Sequence, residues 1–194
     1  MTKNYNSQWI NSKSLGLILS FSLIFLSSCS LWQKKTRITD PDWQVVAKVL
    51  IKSPKQQDRV SLIWSHKQNQ DRLQCNNLFG HPLFNLTQTQ QQAFFQAADG
   101  KEARADSIET LMQTQLGWSL PLNLVKSWIK VDIDQPQVNI LSRSSEEISF
   151  TYDDLTVKLS QIKKQGGDHI AHKMIFQRAQ LTVIIYIKSY ESSS

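Results

Sequence analysis

The chain is short of most things that catalysis and cross-linked scaffolds require. It has two cysteines, Cys29 and Cys75, so no network of disulfides can hold it together. There is no Gly-x-Ser-x-Gly elbow, no glycine loop to cradle a phosphate, and no His-Glu-x-x-His pair for zinc. No motif recurs at a period of 20–50 residues, which excludes solenoids and propellers. The longest apolar run is Leu15 to Leu26, short of the ~20 residues that a spanning helix needs. Carboxylates are absent from the whole N-terminal region, and the first is Asp40.

What that N-terminal region does contain is ordered like an export signal. Lys3 and Lys13 precede the apolar run, which ends in Leu26-Ser27-Ser28-Cys29. A positive start, a short apolar stretch and small residues before a cysteine have the form of a bacterial lipobox. The expectation is a signal peptide over 1–28, with Cys29 carrying an S-diacylglycerol and, on its freed amine, an N-acyl chain. Cys75 is then left without a partner, and its alternation with Leu73 suits a buried small hydrophobe. Ser30 follows the cysteine where an Asp would favour the inner membrane, which points to the outer membrane. Two or three acyl chains at ~0.8 kcal/mol per buried CH₂ anchor a protein firmly without a transmembrane helix.

Without Lys3 and Lys13, the 22 basic residues fall to 20 against 16 acidic ones, a net charge of +4. An exported protein has little occasion to meet nucleic acid, so this excess suits anionic lipid head groups or simple solvation. Residues 29–41 read as a lipid-anchored tether, with Asp40-Pro41 as a turn, and residues 42–194 as one domain. Within it, period-two patterning dominates. Val45, Ala47, Val49 and Ile51 alternate with Gln44 and Lys48, and Val60-Leu62-Trp64 and Val183-Ile185-Ile187 repeat the pattern. Asp99-Gly100, Asp153-Asp154 and Gly166-Gly167 suit tight reversals. Only the middle departs from strands. Asp106-Ser107 can cap a helix with Ile108, Leu111 and Met112 on one face, which Gly117 ends. Pro121 can start a second helix with Leu122, Val125, Trp128 and Ile129 on its apolar stripe. The class is α+β, with helices against an antiparallel sheet.

The titratable residues offer no constellation. His169 and His172 are three apart without a third ligand, and His66 and His81 read as residues of polar turns. Asp153-Asp154 and Glu146-Glu147 are adjacent rather than facing, so no enzyme is expected. The unusual feature is apolar bulk in a turn. Leu78 and Phe79 sit at the tip of Asn76-Asn77-Leu78-Phe79-Gly80-His81-Pro82. Either they fold back as a small core, or they form a knob for a membrane or a partner. Trp32, Trp43, Trp64, Trp118 and Trp128 are likewise core, or the lining of a cavity for something long and apolar.

Trp43-Gln44 through Ser53, Val60 with Trp64, Asn77 with Phe79-Gly80, and Leu116-Gly117-Trp118-Ser119-Leu120-Pro121-Leu122 followed by Trp128 resemble the LolB family of outer-membrane lipoprotein receptors. The resemblance implies a strongly curved open antiparallel sheet, an incomplete barrel, with helices covering its concave face and enclosing a hydrophobic cavity. It implies a monomer that takes lipoproteins from a LolA-like periplasmic carrier. Their acyl chains would enter the cavity and be released into the inner leaflet of the outer membrane. The protein itself would be lipid-anchored there and face the periplasm, with no cofactor beyond its own lipid and no nucleic acid as partner. Phe79, standing where the family has a leucine, would contact the bilayer beside Leu78. Strand phase and helix stripe nominate Val49, Leu62, Trp64, Leu111, Trp118 and Trp128 for the cavity wall. The competing expectation is a structural lipoprotein that scaffolds another envelope machine and holds no lipid.

Overall fold

The computed structural model describes residues 40–54 and 57–193. The signal peptide, Cys29, Trp32 and most of the tether lie outside the described residues. The described chain is a meander of strands interrupted once by helices. The first half runs β1 (Trp43–Lys52), β2 (Gln57–Lys67), β3 (Gln70–Asn76), β4 (Pro82–Gln88), β5 (Ala93–Ala97) and β6 (Glu102–Ala105). Two helices follow, α1 (Ile108–Leu116) and α2 (Leu122–Ile129). The second half runs β7 (Val138–Arg143), β8 (Glu147–Tyr152), β9 (Leu155–Gln165), β10 (Asp168–Arg178) and β11 (Leu181–Ser192).

All eleven strands form one antiparallel sheet in the order β6-β5-β4-β3-β2-β1-β11-β10-β9-β8-β7. It is open, with β6 and β7 at its two edges. The first and last strands pair in the middle, from Trp43 opposite Ser192 to Lys52 opposite Thr182, with a bulge between Val46 and Ala47. Alternation follows the pattern in the sequence. Val45, Ala47, Val49 and Ile51 are buried on β1, as are Val60, Leu62 and Trp64 on β2, and Val183, Ile185 and Ile187 on β11. One continuous apolar core joins these faces to both helices.

The helices begin and end where their residues require. The Ser107 hydroxyl accepts the Thr110 N–H at 3.1 Å, which satisfies one of the donors left bare at the start of α1. Gly117 ends α1 in the left-handed region, φ 79°, and donates its N–H to the Gln113 carbonyl. A Cβ added there would meet nothing within 4 Å, so the penalty for a side chain is purely conformational. Gly117→Ala is expected to cost about 1–2 kcal/mol and a few degrees of Tm, measured by thermal unfolding. The two helices are also tied to each other, because the Glu109 carboxylate accepts the Leu122 N–H at 3.0 Å. α1 packs on β4, β5 and β6, and α2 packs on β10.

Candidate functional site

An apolar cavity of about 580 Å³ lies between the first half of the sheet and the helices. Small-molecule sites commonly span roughly 300–1,000 Å³. Val49, Ile51, Val60, Leu62 and Trp64 come to its wall from β1 and β2, and Val183 and Ile185 from β11. Leu73 and Cys75 of β3 and Phe84 and Leu86 of β4 continue it. The helical side is Met112 and Leu116 of α1, Leu122 and Val125 of α2, and Trp118 and Leu120 between them. Spacings of three and four residues put each helical pair on one face, which is why one stripe serves both core and cavity.

Of the residues nominated for the wall, Val49, Leu62, Trp64 and Trp118 line the cavity. Leu111 and Trp128 do not. Leu111 is buried on a different line of α1 from Met112 and Leu116. Trp128 is wholly buried against the second half of the sheet, with ring centroids 5.1 Å from Phe150, 5.7 Å from Tyr152 and 6.2 Å from Phe176. Its indole N–H donates to Gln135 Oε1 at 3.0 Å, so Trp128 is an anchor for α2. Ile51, Val60, Leu122 and Val125 also line the cavity and were not nominated, although they share a strand phase or helix stripe with residues that were.

Cys75 is part of the wall, and burial pushes its thiol from 9.0 up to about 12. Alkylation by iodoacetamide at neutral pH should therefore be slow in the folded protein and fast in denaturant, followed by mass spectrometry. Below pH 9 both folded and unfolded chains keep the proton. Between pH 9 and 12 only the unfolded chain loses it, so stability falls as pH rises through this window. At pH 10 the wild type should lose about 1 kcal/mol more than Cys75→Val, relative to pH 7, in urea titrations.

The β3–β4 connection is a fixed turn. Asn77 Oδ1 accepts the N–H groups of Phe79 at 2.9 Å and His81 at 3.0 Å, and the Asn77 carbonyl accepts the Gly80 N–H at 3.1 Å. Gly80 has φ 87°, which glycine adopts without strain. This scaffold holds Phe79 88% exposed and Leu78 54% exposed. Of the two readings left open for this tip, folded back or projecting, the side chains project. Asn77 and the partly exposed Leu83 also border the cavity, so the turn stands at its rim.

At the other end of these strands the floor is polar and tightly bonded. Asp71 of β3 is buried and accepts from Trp64 Nε1 at 3.0 Å and Lys126 Nζ at 2.8 Å. His66 Nδ1 lies 3.1 Å from the same carboxylate. His66 is thus on β2 rather than in a polar turn, and Trp43 stacks on its ring at 5.4 Å. His81 is exposed at the end of the projecting turn. His169 and His172, three apart on β10, fall on opposite faces of the strand. Glu147 meets Lys158 at 2.6 Å and Asp154 meets Arg178 at 2.9 Å, both as surface ion pairs.

Known proteins share this sequence pattern along most of its length. The family model described as Outer membrane lipoprotein LolB matches residues 41–190. A protein named Outer-membrane lipoprotein LolB from a Shewanella species is 26% identical over 186 residues, covering 88% of this chain and 86% of that protein. One of the same name from Pseudomonas fluorescens is 26% identical over 159 residues, covering 80% and 78%. Among solved structures, an outer membrane lipoprotein-sorting protein domain from Vibrio parahaemolyticus superposes with a TM-score of 0.49 at 8% identity, over 79% of this chain and 86% of that one. The match takes in both helices and reaches into every strand, and on that ground the chain belongs to the LolB family of outer membrane lipoproteins.

Proposed function

We propose that this lipoprotein-localising member of the family accepts the acyl chains of other lipoproteins in the cavity and delivers them to the inner leaflet of the outer membrane. The observation that carries the reading is the cavity with an exposed aromatic turn at its rim. A greasy chain leaving the cavity would pass a side chain already suited to the bilayer. Most of the affinity comes from burial. At ~0.8 kcal/mol per CH₂, ten enclosed methylenes contribute about 8 kcal/mol, enough for capture, and no bond is made or broken.

The finer architecture fits the same reading. α2 meets β3 through Lys126 and β8 through Trp128, strands six steps apart in the sheet. On a flat sheet those strands would be about 29 Å apart at ~4.8 Å per step. A helix of eight residues is about 12 Å long. This mismatch supports an incomplete barrel curled round the helices. In this reading a LolA-like periplasmic carrier supplies the cargo, the protein works as a monomer, and acylated Cys29 keeps it at the membrane it serves.

Native mass spectrometry of the Cys29→Ala full chain tests the cavity. A retained or exchangeable fatty ligand is expected. A chain that is always empty, and does not take up a fluorescent fatty acid, would favour a scaffolding lipoprotein instead. In cells, depletion should leave client lipoproteins held by the periplasmic carrier.

A further inference from the structure

We propose that Gln115 reads how an acyl chain is attached, selecting chains joined through an amide over chains joined through an ester. The inference rests on the cavity being an acyl-chain site, and it adds what the cavity would discriminate. Gln115 sits on the last turn of α1 and lines the cavity. Its Oε1 is buried and has no hydrogen-bond partner among the described residues. Its Nε2 makes a long contact, 3.4 Å, to the Thr114 hydroxyl.

A bare acceptor in an apolar wall is unfavourable, because water has been removed from it and nothing has replaced it. What it lacks is a donor. The other polar residues of the lining, Asp58, Arg59 and Asn77, make no hydrogen bond to it. An acyl chain joined through an amide carries an N–H directly beside the chain's carbonyl. A glycerol ester carries only oxygens there, all of them acceptors, and would set acceptor against acceptor.

The distinction has a use at a membrane surface. Ester-linked phospholipids surround such a cavity in large excess, while a cysteine acylated on its amine offers the N–H. A site that merely buried methylenes would take both alike. Discrimination by an unmet polar group is much sharper than discrimination by apolar size.

The test uses two ligands that differ in one atom. N-palmitoylglycine methyl ester has an amide N–H where O-palmitoylglycolic acid methyl ester has an ester oxygen. Each competes with fluorescent parinaric acid for the Cys29→Ala full chain. The amide is expected to bind about fivefold tighter or more. Gln115→Met keeps the length of the side chain and removes the acceptor, and should bring the ratio close to one, with parinaric acid titrated separately on the variant so that each competition is referred to its own probe affinity. A wild-type ratio near one overturns the inference even without a variant, and so does an unchanged ratio in Gln115→Met. Failure of either ligand and of the probe to bind at all would instead overturn the cavity reading beneath it. N-palmitoylglucosamine separates an acylated sugar from an acylated amino acid as the source of the amide. Tighter binding of the sugar would overturn assignment to the amino acid.

Discussion

Phe79→Glu should leave uptake of an acylated client intact and slow its delivery to lipid vesicles by about two orders of magnitude. The side chain is 88% exposed on a turn held by Asn77 and Gly80, so its replacement removes almost no packing. Stability should stay within about 0.5 kcal/mol of wild type. A charged side chain in the apolar part of a bilayer costs about 3 kcal/mol on the insertion scale, and each 1.4 kcal/mol is a factor of ten. Phe79→Leu should keep most of the activity, since it preserves apolar bulk. Leu78→Glu should have a smaller effect, because Leu78 is only 54% exposed. The assay is transfer of a labelled lipoprotein from carrier to protein, then from protein to vesicle. Equal loss at both steps would make Phe79 a packing residue and remove the membrane role.

Asp71→Ala should destabilise the folded domain by about 3 kcal/mol, the largest stability effect expected of a polar substitution here. One carboxylate takes hydrogen bonds from the Trp64 indole and the Lys126 ammonium and faces the His66 ring. Removing it strands two donors in a site that is largely closed to water. The cost of that stranding exceeds the net worth of the pair itself. The Lys126 side chain keeps 23% of its exposure, so the penalty falls short of that for a fully buried ion. Asp71→Ala with Lys126→Met should recover part of the loss, because the orphaned charge is gone. Urea titration reads the stability. Because α2 also carries Leu122 and Val125 to the cavity, fatty-ligand affinity should fall in Asp71→Ala at temperatures where the fold persists. A loss below about 1 kcal/mol would mean that the pair behaves as a solvated surface bridge.

The parts of this architecture that depend on near neighbours were readable from residues alone. The phase of β1, β2 and β11, the Ser107 and Gly117 ends of α1, and the stripe Leu122-Val125-Trp128-Ile129 each follow from spacings of two, three or four. The edges were harder. β6 is four residues long, and β7 shows Ile140 and Leu141 to solvent in succession, because a register shift leaves Leu141 without a partner. β6 alternates over too few residues to read as a strand, and β7 does not alternate. The nominated wall failed at Leu111 and Trp128 for a related reason. Their burial was evident, but which part of the core they enter depends on where each helix crosses the sheet. The Asp71–Lys126 bond joins residues 55 positions apart, and nothing local to either announces it.

The pairing of β1 with β11 makes the middle of the sheet the part that forms last. Each half is a run of neighbouring hairpins, and such local contacts close quickly once a stretch of chain is free. The seam between the halves joins residues as far apart as Trp43 and Ser192, and β11 is synthesised after the other ten strands. Until it arrives, β1 and β10 both present bare backbone edges, the kind of surface that recruits other chains. Cutting away residues 181–192 would therefore divide the sheet through its centre instead of fraying its rim. A chain so shortened should aggregate through those two exposed strands, whereas loss of β6 would remove only an outer edge.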